Sequence, residues 1–212
     1  MASSASEPAP AYGIHRMTPV RLVVGGPFGV GKTTFISTVS ETEPLRTEER
    51  LTMAGVGTDH LRGPEPKATT TVLLDFGRIT LADQGLILLL YGTPGQQRFR
   101  FLWDDLTGGA LGAVVLVDTR DLASGFDAVS YFESSPVPFV IAVNEFDGAG
   151  RYTADEIHHA LQLDPGVPVL LCDARHPASA RHVLHALVRH SLTLARARAR
   201  VPHAGPDRKA HR

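Results

Sequence analysis

The pattern with the clearest chemistry is Gly26-Pro27-Phe28-Gly29-Val30-Gly31-Lys32-Thr33, in which Gly26, Gly31, Lys32 and Thr33 have the spacing G-x-x-x-x-G-K-[ST]. Glycines there let the backbone N–H groups of Phe28, Gly29, Val30 and Gly31 converge on an anion without side chains blocking the approach. A helix that starts at the lysine turns its positive dipole end to the same anion, with Thr34 in its first turn. Lys32 can reach phosphate oxygens as a point charge, and the Thr33 hydroxyl can ligate Mg²⁺. These residue types at this spacing point to a nucleoside di- or triphosphate.

The surrounding elements must hold this loop rigid. The apolar, β-branched run Val20–Gly25 reads as a buried strand and Thr33–Ser40 as the helix after the loop. Glu41–Ala68 carries charges, glycines and prolines without period and reads as a long surface connection. Thr69–Leu81 and Gly85–Gly92 read as a hairpin turning at Ala82–Gly85, and Gln96–Leu106 as a short helix. Ala113–Val117, Pro138–Asn144 and Pro168–Cys172 read as further strands, with a helix at Leu122–Glu133. Thr153 and Glu156 have the spacing of a capping box for a helix to Gln162. Ser179 reads as the cap of a last helix with an apolar stripe of Val183, Leu184, Leu187, Val188, Leu192 and Ala195. Its other face carries Arg181, His182, His185 and Arg189, a solvated face without the carboxylates or cysteines of a metal site.

Strands alternating with helices predict an α/β phosphate-loop NTPase: a doubly wound, mostly parallel six-stranded sheet with one antiparallel edge strand and helices on both faces. The expected organisation is a disordered leader over 1–17, one domain over 18–200 and a basic disordered tail over 201–212. A formal net charge of −1 gives no global field for nucleic acid or membrane, so no nucleic-acid partner is expected. Cys172 is the only cysteine, which excludes an intramolecular disulfide and fits a cytoplasmic setting. No apolar run approaches the length of a membrane span. Arg196, Arg198 and Arg200 read as a solvated helix end, with contact to anionic lipid or an acidic partner as the alternative.

Three further stretches, taken with the phosphate loop, resemble Ras-like small GTPases, and more narrowly the bacterial gliding-motility and conservon-type GTPases, over about Pro19–Arg200. Gly92-Thr93-Pro94-Gly95-Gln96-Gln97-Arg98-Phe99 is similar to D-T-A-G-Q-E-R-F, Asn144-Glu145-Phe146-Asp147 to N-K-x-D, and Cys172-Asp173-Ala174-Arg175 to the S-A-K-like motif. The resemblance implies GTP/GDP and Mg²⁺ as ligands. Gly95 would give its N–H to the γ-phosphate, and Gln96 would orient the attacking water, with Lys32 completing the catalytic set. Asp147 would accept from guanine N1–H and the 2-amino group, with Asn144 on the base edge. Ala174 N–H would meet guanine O6, beside Cys172 and Asp173, and the Arg175 stem would cover the base. Thr71 would close on Mg²⁺ with Thr33, with Thr69 and Thr70 as rivals for that place.

Three departures accompany the resemblance. The aspartate that holds Mg²⁺ through water is Gly92, leaving Asp75 or Asp59 to help. The lysine that lies along the base is Glu145. A small phosphate-loop residue is replaced by Phe28, which would crowd an arginine finger from a partner; Arg98 and Arg100 are internal candidates, with surface ion pairs as their simpler use. The resemblance implies a switch that hydrolyses GTP slowly and controls partner binding, with roadblock-domain proteins and sensor-kinase-like membrane complexes as partners. The alternatives are an interaction protein that holds nucleotide with little hydrolysis, and a phosphate-loop ATPase or kinase.

Overall fold

The run before the glycine turn forms β1 (Thr18–Gly25). Leu22 and Val24 enter one apolar cluster while Val23 enters the other, so both faces of this strand are covered. β5 (Gly112–Val117) and β6 (Phe139–Asn144) are buried at every residue, the pattern of strands between two helical layers. The computed structural model describes residues 17–43, 45–52 and 69–200, with backbone alone at 45–52, 69–73 and 97. The expected leader up to residue 16, the tail and Asp59 lie outside the described residues.

With β2 (Leu45–Thr52), β3 (Thr69–Leu81), β4 (Leu86–Gly92) and β7 (Val169–Cys172), the sheet order is β2-β3-β4-β1-β5-β6-β7. β1 pairs in parallel with β4 and β5, as do β5 with β6 and β6 with β7. β3 runs antiparallel to both β2 and β4. Helices α1 (Lys32–Val39) and α5 (Pro177–Arg200) pack on one face through Phe35, Ile36, Val183 and Leu187. Helices α2 (Leu102–Thr107), α3 (Phe126–Ser134) and α4 (Ala154–Ala160) cover the other through Trp103, Phe132 and Ile157.

The doubly wound, mostly parallel class is the expected one, and β3 is its antiparallel strand. β2 adds a seventh strand outside β3, inside the stretch read as a surface connection. Its Arg-Thr-Glu-Glu-Arg sequence hid it, because charge is what an edge strand carries against unwanted pairing. The hairpin turn is as expected, with Gly85 at φ 63° closing it. The segments read as single helices over 96–106 and 122–133 each begin with a 3₁₀ turn.

The capping box is present: Thr153 Oγ1 accepts from Glu156 N–H at 3.2 Å, and Glu156 accepts from Thr153 N–H at 2.8 Å. α5 starts at Pro177 rather than at a Ser179 cap, using proline where no N–H is needed. Ser179 instead accepts from Asp173 N–H at 3.0 Å. Leu192 is exposed at 45 % and Ala195 is exposed too, because a 24-residue helix outruns six-residue strands and its last turns have no sheet beneath them. The buried stripe is Ala180, Val183, Leu184, Leu187 and Ser191. Among the described residues, no helix is long and apolar enough to cross a membrane.

Candidate functional site

The glycine turn joins β1 to α1 at the carboxyl end of the sheet, where open α/β folds place their ligands. Gly26 has φ 132° and Gly31 φ 102°, conformations that disfavour any side chain. Space forbids one as well: a Cβ at Gly26 would lie 2.4 Å from Leu116 O, and one at Gly31 2.5 Å from Asn144 Nδ2. Phe28 leans outward with 80 % of its surface exposed, so only its backbone lies in the loop. Val30 is buried beneath it. α1 has no acid in its first turn to compete for an anion. A cleft of about 400 Å³ opens here, lined by Gly29, Gly31, Lys32, Thr33, Thr34 and Asp75 among others.

Lys32 is 8 % exposed, and its Nζ donates to the carbonyls of Gly26 at 2.8 Å and Pro27 at 2.7 Å. Burial pulls its pKa down to about 8, with the Asp75 charge opposing the shift. A buried cation whose hydrogen bonds go to carbonyl dipoles is suited to exchange them for phosphate oxygens. Thr33 Oγ1 donates to Asp75 Oδ2 at 2.6 Å. Asp75 lies across the β3–β4 pair from Gly92, one step past the Phe76–Tyr91 register: a Cβ on Gly92 would stand 3.0 Å from Asp75 Cβ. A β3 carboxylate therefore stands beside Thr33, where Gly92 of β4 offers none. Thr93, also on the cleft wall, has a buried hydroxyl with no partner among the described residues, a polar atom a ligand can satisfy. Hydroxyl and carboxylate oxygens suit a hard cation that completes its shell with phosphate and water. Among the described residues, no group of three or more His, Cys, Asp or Glu side chains could hold a metal alone.

The segment after β4 passes close over the loop. A Cβ on Gly95 would stand 2.7 Å from Phe28 N and 2.8 Å from Lys32 Nζ, so the glycine permits this approach. Trp103 Nε1 donates to Pro94 O at 3.2 Å and ties the segment to α2. Gln96 is exposed beside it. Arg98 lies over the Phe99 ring, and Arg100 over the Tyr131 and Trp103 rings. Thr71 lies in β3, opposite Arg50 of β2; its side chain is outside the described set.

On the far side of the loop from Asp75, packed against Gly31, Asn144 is 5 % exposed and joins three segments. Its Nδ2 donates to Val30 O at 2.9 Å, and its Oδ1 accepts from Ala174 N–H at 3.0 Å. The Ala174 N–H expected to face guanine O6 is thus spent within the protein. Asp147 is exposed and accepts from Arg175 Nη1 at 2.7 Å and Nη2 at 3.2 Å. Arg175 also grips Asp173, from Nε at 2.9 Å and Nη2 at 2.7 Å. The guanidinium holds both carboxyls below their usual range, Asp173 at about 2. Glu145 pairs with Arg151. Cys172 is buried and desolvation pushes its thiol up to about 12, which makes it inert packing.

Sequence reasoning passed over Asp118 and Arg120, just beyond β5. Arg120 grips Asp118 with Nε at 2.9 Å and Nη2 at 2.5 Å, and lies 3.6 Å from the Phe146 ring centroid. That contact steadies the loop that carries Asp147. A charged Asp-Thr-Arg-Asp run directly after a wholly apolar strand was the available signal. A larger hollow of about 680 Å³ lies at the opposite pole, between the residues leading into β5 and β6 and the end of α5. It has neither the glycine turn nor the buried lysine, and stands away from this chemistry.

These features define the fold of phosphate-loop GTPase-like domains. Solved structures similar to this chain include the cytosolic domain of the T. maritima FeoB iron transporter in apo form, with TM-score 0.58 and 16 % identity over 82 % of this chain and 64 % of that one. The isolated T. maritima FeoB G domain gives TM-score 0.54 at 17 % identity, over 84 % of this chain and 99 % of its own. The FeoB G-domain from Methanococcus jannaschii gives 0.55 at 14 %, over 83 % and 99 %. This chain thus spans under two thirds of the FeoB cytosolic domain, and likeness at such identities is one of fold alone. By sequence the chain belongs to the family of conserved hypothetical ATP binding proteins, whose pattern matches residues 24–194. It is also 28 % identical over 142 residues to the uncharacterized protein MJ1339 of Methanocaldococcus jannaschii, covering 66 % of this chain and 78 % of that one.

Proposed function

We propose that the chain is a guanine-nucleotide-binding switch that binds GTP and GDP, hydrolyses GTP slowly and thereby changes its affinity for partner proteins. The observation that carries this reading is Asn144. It bonds the phosphate loop at Val30 to the Ala174 loop, which supports reading Asp147, three residues on, as the base contact. A carboxylate there suits guanine, whose N1–H and 2-amino group donate as a pair; adenine offers no such pair. The T. maritima FeoB cytosolic domain has been solved in a GDP form, which supports the same base.

In the proposed mechanism Lys32 Nζ leaves the Gly26 and Pro27 carbonyls for phosphate oxygens, and the Gly95 N–H contacts the γ-phosphate. Gln96 orients a water whose oxygen bonds to the γ-phosphorus as the bond to the β–γ bridging oxygen breaks, giving GDP and phosphate. Thr33 and Asp75, with Thr71 as the proposed closing residue, would hold Mg²⁺, which when bound neutralises phosphate charge. Phe28, exposed at the loop, bars a partner's arginine finger and keeps turnover slow.

Partners of roadblock-domain and sensor-kinase-like type, a cytoplasmic setting and recruitment to a membrane face by those partners belong to this proposal. The exposed Arg196, Arg198 and Arg200 offer a second route to an anionic surface. The conservon and gliding-motility GTPases are the proposed relatives. A second reading, nucleotide-dependent binding with little hydrolysis, is favoured by Gly92 and Phe28, and the family's description as ATP binding keeps adenine in play.

Calorimetric titration of nucleotide-free protein with GDP and ADP, with and without Mg²⁺, tests the base. Weaker ADP binding by tenfold or more supports guanine, and equal affinities overturn it. Single-turnover GTP hydrolysis with and without Gln96→Leu tests the chemistry. No rate, or a rate indifferent to the substitution, favours the second reading.

A further inference from the structure

We propose that Arg175 sets the base selectivity of this site, by occupying the two acceptor oxygens of Asp147 that a guanine edge would use. The proposal rests on the reading of Asp147 as the base contact. Arg175 Nη1 stands 2.7 Å from Asp147 Oδ2 and Nη2 3.2 Å from Oδ1. Two N–H donors joined through one carbon are also what guanine presents, at N1 and the 2-amino group. The guanidinium fork is therefore an internal copy of the guanine edge, and one side of a carboxylate accepts only one such fork at a time.

The fork is presented from a fixed place. Its other edge is anchored on Asp173, with Nε 2.9 Å from Oδ1 and Nη2 2.7 Å from Oδ2. Asp173 is itself placed by its N–H to Ser179 of α5 at 3.0 Å, and it accepts the Arg175 backbone N–H at 2.9 Å. Glu145, where the resemblance expects a lysine, is paired with Arg151, and among the described residues Arg175 is the cation that ion-pairs with Asp147.

The consequence compresses selectivity from both sides. An aspartate at this place normally rejects adenine because the carboxylate is left stranded. Here it is already paired, so adenine strands nothing. Guanine gains the carboxylate only by displacing a like donor pair, so its net gain is smaller than on a free carboxylate. Base discrimination is therefore weaker than the Asn-x-x-Asp motif alone promises.

The test is calorimetry on the full chain, wild type against Arg175→Ala, titrated with GDP, ADP and tripolyphosphate. The guanidinium is exposed, so the fold is expected to survive, and an unchanged tripolyphosphate affinity verifies the phosphate end. GDP is expected to tighten about twofold to fivefold, the range of a well-formed exposed ion pair, with ADP unchanged or weakened and the GDP-to-ADP ratio widened by at least the same factor. GDP binding that weakens or stays put overturns the proposal, as does ADP tightening in parallel with GDP. Asp147→Asn separates the two levels. If it leaves the GDP-to-ADP ratio in place, the base reading and this proposal fall together. If it collapses the ratio while Arg175→Ala moves nothing, only the role of Arg175 falls.

Discussion

Replacing Asn144 by alanine tests whether the site is held by one side chain. The amide is buried, donates to Val30 O at 2.9 Å and accepts from Ala174 N–H at 3.0 Å. Truncation removes both bonds and leaves a buried carbonyl and a buried N–H without partners. Stranding such groups costs about 1–3 kcal/mol each, and water entering the vacated space recovers part of it, so the expected loss is about 2–4 kcal/mol. Against a domain stability of about 5–15 kcal/mol this is large, and it lowers the melting midpoint by about 5–15 °C for a chain of this size. Urea unfolding followed by far-UV dichroism and by Trp103, the only tryptophan and buried at 6 % exposure, gives the number from two independent probes. Asp147→Ala is the control: its side chain is solvated and gives up only an exposed ion pair, so the unfolding midpoint should move far less. A loss under about 1 kcal/mol for Asn144→Ala would refute the reasoning, because the two bonds would then be replaceable by water.

Gly95→Ala drives a methyl to 2.7 Å from Phe28 N and 2.8 Å from Lys32 Nζ, so the segment after β4 must back away; tripolyphosphate affinity should fall about tenfold or more with the unfolding midpoint little changed, and unchanged affinity refutes this. Lys32 has its native pKa lowered to about 8, so between pH 8 and its unfolded value of 10.5 the unfolded chain binds more protons and native stability rises with pH. Lys32→Met removes that rise: the variant's stability advantage at pH 7.5 should shrink by about 1.4 kcal/mol per pH unit across that window in nucleotide-free protein, and a constant difference counts against it. Gly92→Asp restores the usual residue but sets a second carboxylate against Asp75, so the single change should lower the melting midpoint and Gly92→Asp/Asp75→Ala should recover it. A single change that raises the midpoint refutes that.

What was legible in the sequence was whatever a local rule enforces. Gly26 and Gly31 announce backbone that no other residue can adopt beside Leu116 O and Asn144, and Thr153 with Glu156 announces a helix start through bonds three residues apart. β2 was not legible, because pairing with β3 rather than its own pattern makes it a strand. The exposed Leu192 was misread for a related reason: periodicity says which side of a helix is apolar, not how far the sheet beneath it extends. At the site, the Asp147–Arg175–Asp173 bridge spans two loops brought together by the β6–β7 register, which no spacing in the chain encodes.

At the corner proposed for Mg²⁺, a motif residue absent from one strand has a counterpart on the next. What the proposed cation needs beside Thr33 is a carboxylate oxygen at a place, and two neighbouring strands can each deliver one. β4 would deliver it from position 92; β3 runs antiparallel beside it and delivers it from position 75, reaching Thr33 Oγ1 at 2.6 Å. The two positions exclude each other, since a Cβ at 92 would already lie 3.0 Å from Asp75 Cβ and 3.4 Å from its Oδ2. Glycine at 92 is therefore the complement of aspartate at 75. The aspartate 17 positions earlier in the chain is an equal source of the same charge, because antiparallel pairing folds the separation back onto one point.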